Sequence, residues 1–320
     1  MNFLIQIDSK GNIQTSTGHI LKSMKPFLKE THIDVGYEYC SLDDLMEGGS
    51  YDTMLKNHVV DANTIKQVIP IGTPKFIKAF VKMIWGDKPV IHALMPYNVP
   101  LDLQLPLYAG RMVYNMKTNE DIVKVLEDLK KLRKLHGRWF VKDMYDQHSE
   151  LNHFYDVIPD LDNGRMTLEC RMGGDGKSVS KVFDYNFGRD ILGKQISNEI
   201  PNIVSQWRIL VTKQGDLEYQ IKCAVNYKGD PIRFPKRERV FQFIEQWYVS
   251  PKVYTMDVMV DNKDNTWILG CHDLIGYDMM GFNDPHLPWY LKSSWDEIRG
   301  KIEYEYFISE SKSASASGRE

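Results

Sequence analysis

Hydrophobic positions in this chain follow two periods. From Tyr254 to Leu274 the run "YTMDVMVDNKDNTWILGCHDL" carries Tyr254, Met256, Val258 and Val260 in alternation, and Trp267, Ile268 and Leu269 follow the polar "DNKDN". That pattern predicts two half-buried strands joined by a turn. "QWRILVTKQGDLEYQIKCAVNYKG", from Gln206, predicts a second hairpin about "KQGD", and "NFLIQID", "KQVIPIG" and "RWFVKDMY" read as further strands. The helical period appears in "TPKFIKAFVKMIWG", where Phe76, Ile77, Phe80, Val81 and Ile84 share a face. Thr73 is placed to cap that helix, with Pro74 at its first position. "TNEDIVKVLEDLKKLRKLHG" has the same period, with Ile122, Val123, Leu126, Leu129 and Leu132 as its apolar stripe. "RERVFQFIEQWYVS" reads as another helix.

The order of these elements lacks the regular βαβ spacing of a doubly wound sheet and contains no internal repeat. It predicts an α+β fold with mostly antiparallel sheets, in which residues 1–105 form an N-terminal α/β subdomain. Residues 106–196 then form one lobe and 197–308 a second. The polar "SESKSASASGRE" predicts a flexible tail over 309–320. The three prolines of "MPYNVPLDLQLP" exclude a central strand there and predict an irregular connector.

Composition narrows the function classes. A chain of 320 residues with 42% hydrophobic and 26% charged residues can bury more than one core. Its formal net charge of −3 gives no general attraction to nucleic acid, so anionic partners must be met by particular side chains. Cys40, Cys170, Cys223 and Cys271 have no C-x-x-C spacing, which argues against a zinc site or disulfide framework and for free thiols in a cytoplasmic protein. No apolar run approaches membrane-spanning length, and the N-terminus lacks a basic leader region.

Charged residues inside apolar strands need partners. Arg111, Lys142, Arg208 and Lys222 lie in or beside predicted strands, and Asp257, His272 and Asp273 lie on later ones. Cations of this kind are halves of ion pairs or phosphate ligands, and carboxylates gathered in one cleft can hold magnesium against the same phosphates.

In order along the chain, "VIPIGTPKFIKAF", "NVP" with "GR" at Gly110 and Arg111, "FVK" ending at Lys142, "ISNEIPNIVSQWRILV", "YTMDVMV" and "HDLIGYDMMGF" resemble the ATP-grasp enzymes. They resemble in particular the branch common in bacteriophages, whose fourth motif has an acidic residue where this chain has Gln206. The resemblance implies two α+β lobes enclosing ATP and magnesium. In it Lys142 corresponds to the lysine that reaches the α- and β-phosphates, and Arg111 to an upstream phosphate-contacting cation. "SNEI" corresponds to the hinge, where backbone groups including that of Ile200 bind adenine and Glu199 takes the ribose. Arg208 and Lys222 correspond to the cations facing the transferring phosphoryl group, and Asp257 to the first magnesium ligand.

The resemblance implies an ATP-dependent ligase that activates a carboxylate as an acyl phosphate and joins it to an amine, in the cytoplasm, or the host cytoplasm if the chain is phage-encoded. The pattern is broken on the last strand. Where the family has glutamate, any residue, then asparagine, this chain has "GCH", with Gly270 and His272 at the two positions. Either Asp273 substitutes, or one metal is lost, or catalysis has decayed. The gap keeps open a nucleotide-binding or partner-binding scaffold with reduced catalysis. "FPKRERV" and "KKLRK" keep open an ATP-dependent action on nucleic acid. "MGGDGKS", at 172–178, reads equally as a phosphate-holding loop or a plain turn.

Overall fold

The computed structural model describes residues 1–30, 34–47, 64–86, 98–118, 120–121, 124–125, 138–144, 153–160, 165–172, 179–186, 192–200, 202–214, 218–275 and 281–317. The architecture is α+β, as the order of elements predicts, and is organised around three sheets. Most of the helix expected over 118–136, most of the glycine-rich stretch 172–178 and residues 276–280 lie outside the described residues.

The first sheet is parallel. β1 (Asn2–Ile7) lies between β2 (Gly36–Ser41) and β3 (Ile69–Ile71). The chain crosses from β1 to β2 through α1 (Ser16–Glu30), a helix the apolar pattern alone did not announce and which contains Pro26. After β2 the short α2 (Leu42–Met46) is capped by Ser41, whose hydroxyl accepts from the Asp44 amide. α3 (Pro74–Trp85) forms as expected: Thr73 accepts from the Phe76 amide, and Phe76, Ile77, Phe80 and Val81 are buried. Ile84 packs at the margin of the same core.

The connector after residue 98 is irregular, with a 3-10 turn at Leu101–Leu103 and the short α4 (Pro106–Ala109). The second sheet is antiparallel throughout. Its six strands, in chain order, are β4 (Val113–Met116), β5 (Arg138–Asp143), β6 (His153–Asp160), β7 (Arg165–Met172), β8 (Val179–Asn186) and β9 (Lys194–Asn198). β9 lies between β4 and β5, with β6, β7 and β8 following beyond β5.

The third sheet is four-stranded and antiparallel: β10 (Ile203–Gln214) pairs with both β11 (Glu218–Gly229) and β12 (Val253–Asp261), and β12 with β13 (Thr266–Asp273), so β11 and β12 lie on either side of β10. Alternation divides its faces. Trp207, Ile209, Val211, Tyr254, Met256, Val258 and Val260 join Val240, Phe243 and Ile244 of α5 (Arg237–Gln246) in one core. Leu210 and Val253, on the opposite face, belong to the core of the first sheet.

That second core is completed by the last helix, α6 (Leu287–Ser317). Its Leu291, Trp295, Ile298 and Ile302 are buried with Phe80 and Trp85, and the Trp295 ring lies 5.9 Å from Phe80 and 6.4 Å from Trp85. Trp295 Nε1 also donates to the Lys66 carbonyl at 3.1 Å. The end of the chain therefore returns to its beginning, which the sequence division into consecutive units did not show. Of the stretch 309–320 expected as a flexible tail, the residues as far as Ser317 are the last turns of α6. Among the described residues no helix is long and apolar enough to cross a membrane.

Candidate functional site

The α5-remote face of the third sheet carries its charges in the middle of apolar strands. Arg208 of β10 lies directly opposite Asp257 of β12, and Asp257 lies opposite Gly270 of β13. Register alone thus brings a guanidinium and a carboxylate together. Arg208 Nε donates to Asp257 Oδ1 at 2.8 Å and its Nη2 donates to Oδ2 at 2.9 Å, with both side chains at 0% exposure. The planar fork of arginine matches both carboxylate oxygens, the geometry in which such a pair is strongest. Tyr227 of β11 adds a hydroxyl donated to Oδ2 at 3.3 Å, and its ring lies beneath the Arg208 guanidinium.

His272 completes this row. Its Nε2 is 3.6 Å from Asp257 Oδ1, and its Nδ1 faces the Thr255 hydroxyl across the β12–β13 pair. Burial and then the Arg208 charge pull the imidazole down to about 4, against the opposing pull of Asp257, so the ring is neutral at pH 7. Burial raises the Asp257 carboxyl, but the hydrogen bonds from Arg208 and the nearby His272 outweigh it and hold the carboxyl below its ordinary value.

Lys142 approaches from β5 of the second sheet. It is buried, and its ammonium lies near enough to Asp257, Arg111 and His272 to interact with all three. Burial pushes its proton affinity well below that of an ordinary lysine, with Asp257 opposing and Arg111 reinforcing the effect. Arg111 sits between the sheets with a different set of partners: it donates to the carbonyls of Ala109, Ile268 and Leu269 at 3.0, 2.8 and 3.3 Å. Burial brings its guanidinium down to about 10. Gly110 makes this approach possible, since its φ is +65° and a Cβ there would meet the Trp267 ring at 2.4 Å. Asn98 ties the same region together. Its carbonyl accepts from the Cys271 amide at 2.9 Å, and its side-chain amide donates to the Met144 carbonyl at 3.0 Å.

The expected hinge residues join the second sheet to the third. Asn198, at the end of β9, accepts from the Met112 amide at 2.6 Å, Glu199 is exposed and Ile200 half-buried. Lys222 lies on β11 and donates to Gln220 Oε1 at 2.5 Å. Lys142, Arg111, Arg208, Asp257 and His272 are therefore brought together, and Glu199 with Ile200 stands at the crossing between sheets. Asp273 is not brought to Asp257. It is in register with Tyr254, so strand alternation puts it on the other side of β13 from His272, and its charged neighbours are Lys301 and Glu297 of α6.

Magnesium takes a near-octahedral set of hard oxygen ligands. The described residues do not supply it. Both Asp257 oxygens hold Arg208, position 270 has no side chain, His272 offers nitrogen and Asp273 faces away. No group of three or more His, Cys, Asp or Glu among the described residues could hold a metal ion. The metal trio expected from the sequence, Asp257 with His272 and Asp273, is thus not assembled. Thr255 and Tyr227 carried no signal in the sequence, because a threonine or tyrosine in a strand is ordinary β composition.

A separate cavity of about 680 Å³ opens beside the N-terminal ends of β1 and β3, lined by Asn2, Asp34, Trp289, Lys292 and Arg299 among others, and contains none of the clustered charges.

Asp273 has its own consequence. Burial raises its carboxyl to about 7, with Lys301 opposing and Glu297 adding to the rise. A folded value above the unfolded one means that this residue's contribution to stability is full below about pH 4 and is lost as pH rises through about 7. Asp273→Asn removes that loss. In urea unfolding the variant should gain stability relative to the parent between pH 5 and pH 8; parallel pH profiles would count against the buried acid.

No family model matches the sequence, and no curated protein does. Solved structures do. D-cycloserine synthetase DcsG is similar over 93% of this chain and 100% of its own, at 11% identity and a TM-score of 0.44. The VanG D-Ala:D-Ser ligase from Enterococcus faecalis is similar over 94% and 99%, at 8% identity and 0.44. N5-carboxyaminoimidazole synthetase from Staphylococcus aureus, complexed with ADP, is similar over 85% and 69%, at 10% identity and 0.37. These likenesses concern the course of the chain and leave the roles of individual residues to the geometry described above.

Proposed function

We propose that this chain binds ATP as ATP-grasp enzymes do, between the second and third sheets, and uses it to join a carboxylate to an amine. The observation that supports this best is a buried cluster to which one sheet contributes Lys142 and the other Arg208, Asp257 and His272, with Glu199 and Ile200 on the chain segment that links the two sheets. On this reading Lys142 meets the α- and β-phosphates and the hinge backbone meets adenine. Arg208 and Lys222 face the phosphoryl group in transfer, where positive charge lowers the barrier because negative charge is spread over the moving oxygens.

A carboxylate oxygen of the substrate attacks the γ-phosphorus and the bond to ADP breaks. The amine then attacks the acyl carbon, loses a proton and expels phosphate. No step is routed through a metal, since the described residues do not assemble a site for one. Ser205, Trp207 and Arg208 of "SQWR" fit the fourth motif of the phage branch, with Gln206 at its acidic position, and a phage-encoded chain would act in a host cytoplasm.

A second reading, a nucleotide-binding scaffold without turnover, is favoured by the saturated Asp257 and by Gly270. Incubation with ATP, pooled amino acids and amines, followed by mass spectrometry, separates the two. The ligase yields ADP, phosphate and a condensed product in equal amounts. Nucleotide binding with no ADP released would overturn the ligase and favour the scaffold, and absence of nucleotide binding would overturn both.

A further inference from the structure

We infer that this site takes its nucleotide without a divalent cation, the Arg208 guanidinium standing against Asp257 where a metal would stand. The inference rests on the ATP-binding reading and deepens it. Three features of the site carry it. Asp257 is fully buried and both of its oxygens already accept from Arg208, so a metal could use this carboxylate only by displacing a well-formed fork. The facing strand position is Gly270, which supplies no second carboxylate, and the acid of β13 itself, Asp273, lies on the opposite side of that strand. His272, 3.6 Å from Asp257, is a nitrogen donor already set against Thr255 and poorly suited to a hard cation.

Cations are not lacking. Lys142, Arg111 and Arg208 all bear on the same space, and a polyphosphate that carries no metal retains the full negative charge they would meet. Phosphate groups can be held by such a set through charge-assisted hydrogen bonds alone.

The test is a calorimetric titration of the full chain with adenylyl imidodiphosphate at fixed ionic strength, once in EDTA and once in excess magnesium. The expected result is that magnesium leaves the affinity unchanged or weakens it. Affinity tenfold or more higher in magnesium would overturn the inference while leaving ATP binding intact, and no binding in either buffer would overturn both. Gly270→Glu provides a second measurement, because it restores a carboxylate opposite Asp257. In that variant magnesium should tighten nucleotide binding at least tenfold relative to EDTA. A folded variant as indifferent to magnesium as the parent would overturn the claim that the missing carboxylate is the cause.

Discussion

Asp257→Ala should lower the stability of the folded chain by about 3–5 kcal/mol, the cost of leaving one member of a buried ion pair without the other. Arg208 is at 0% exposure in the middle of β10, so no rotation brings its guanidinium to water once the carboxylate is gone. Tyr227 and its ring remain beside it, but a hydroxyl and a quadrupole do not neutralise a full charge. Arg208→Met should be harmful for the converse reason, since Asp257 would lose both hydrogen bonds of the guanidinium fork and keep Tyr227, His272 and the Lys142 charge without that fork. The paired change Arg208→Met with Asp257→Leu should recover most of the loss, because apolar side chains of similar volume often replace a buried pair at little cost. Urea unfolding of the parent, Arg208→Met, Asp257→Leu and the double variant closes the cycle and gives the coupling energy directly. Additive single effects, or a loss below about 1 kcal/mol for Asp257→Ala, would mean that the pair is far better hydrated than its burial implies.

The sequence showed much of this fold because its strands and α3 obey simple periods. The hairpin of β12 and β13 followed from alternation, and α3 followed from its apolar face and the Thr73–Pro74 start. It showed less of what depends on pairing across distance. Nothing in "WDEIRGKI" says that Trp295 will pack on Phe80 and Trp85, since that contact is set by how the chain closes. The charged cluster was legible as a set of residues and illegible as an arrangement. Strand-borne ions announced that partners must exist, but only the register between β10 and β12 shows that Arg208 and Asp257 choose each other. The same register decides Asp273, because a shift of one residue along β13 moves a side chain to the other face. Arg111 was legible as a buried cation, and its carbonyl partners on β13 depend on the close seat of Gly110 against Trp267.

Lys142→Met should keep the chain folded and weaken ATP binding by about 1.5–3 kcal/mol, or about 10- to 150-fold. Folding survives because burial already disfavours the lysine charge, so an apolar side chain of similar length removes a cost along with the favourable pull of Asp257. Binding suffers because the ammonium gains most when a phosphate arrives beside it. That gain has a sign that can be measured. In the free protein burial holds the Lys142 proton affinity well below the ordinary value, and a bound polyphosphate must raise it. ATP should therefore enter with uptake of a proton wherever the pH lies between the free and bound values, and its affinity should fall as pH rises through that window. Calorimetry in two buffers of different ionisation enthalpy reads the uptake directly, and Lys142→Met should abolish it. An unchanged affinity in the folded variant, with the same proton uptake as the parent, would remove Lys142 from the phosphate site and with it the second sheet's charge in the cluster.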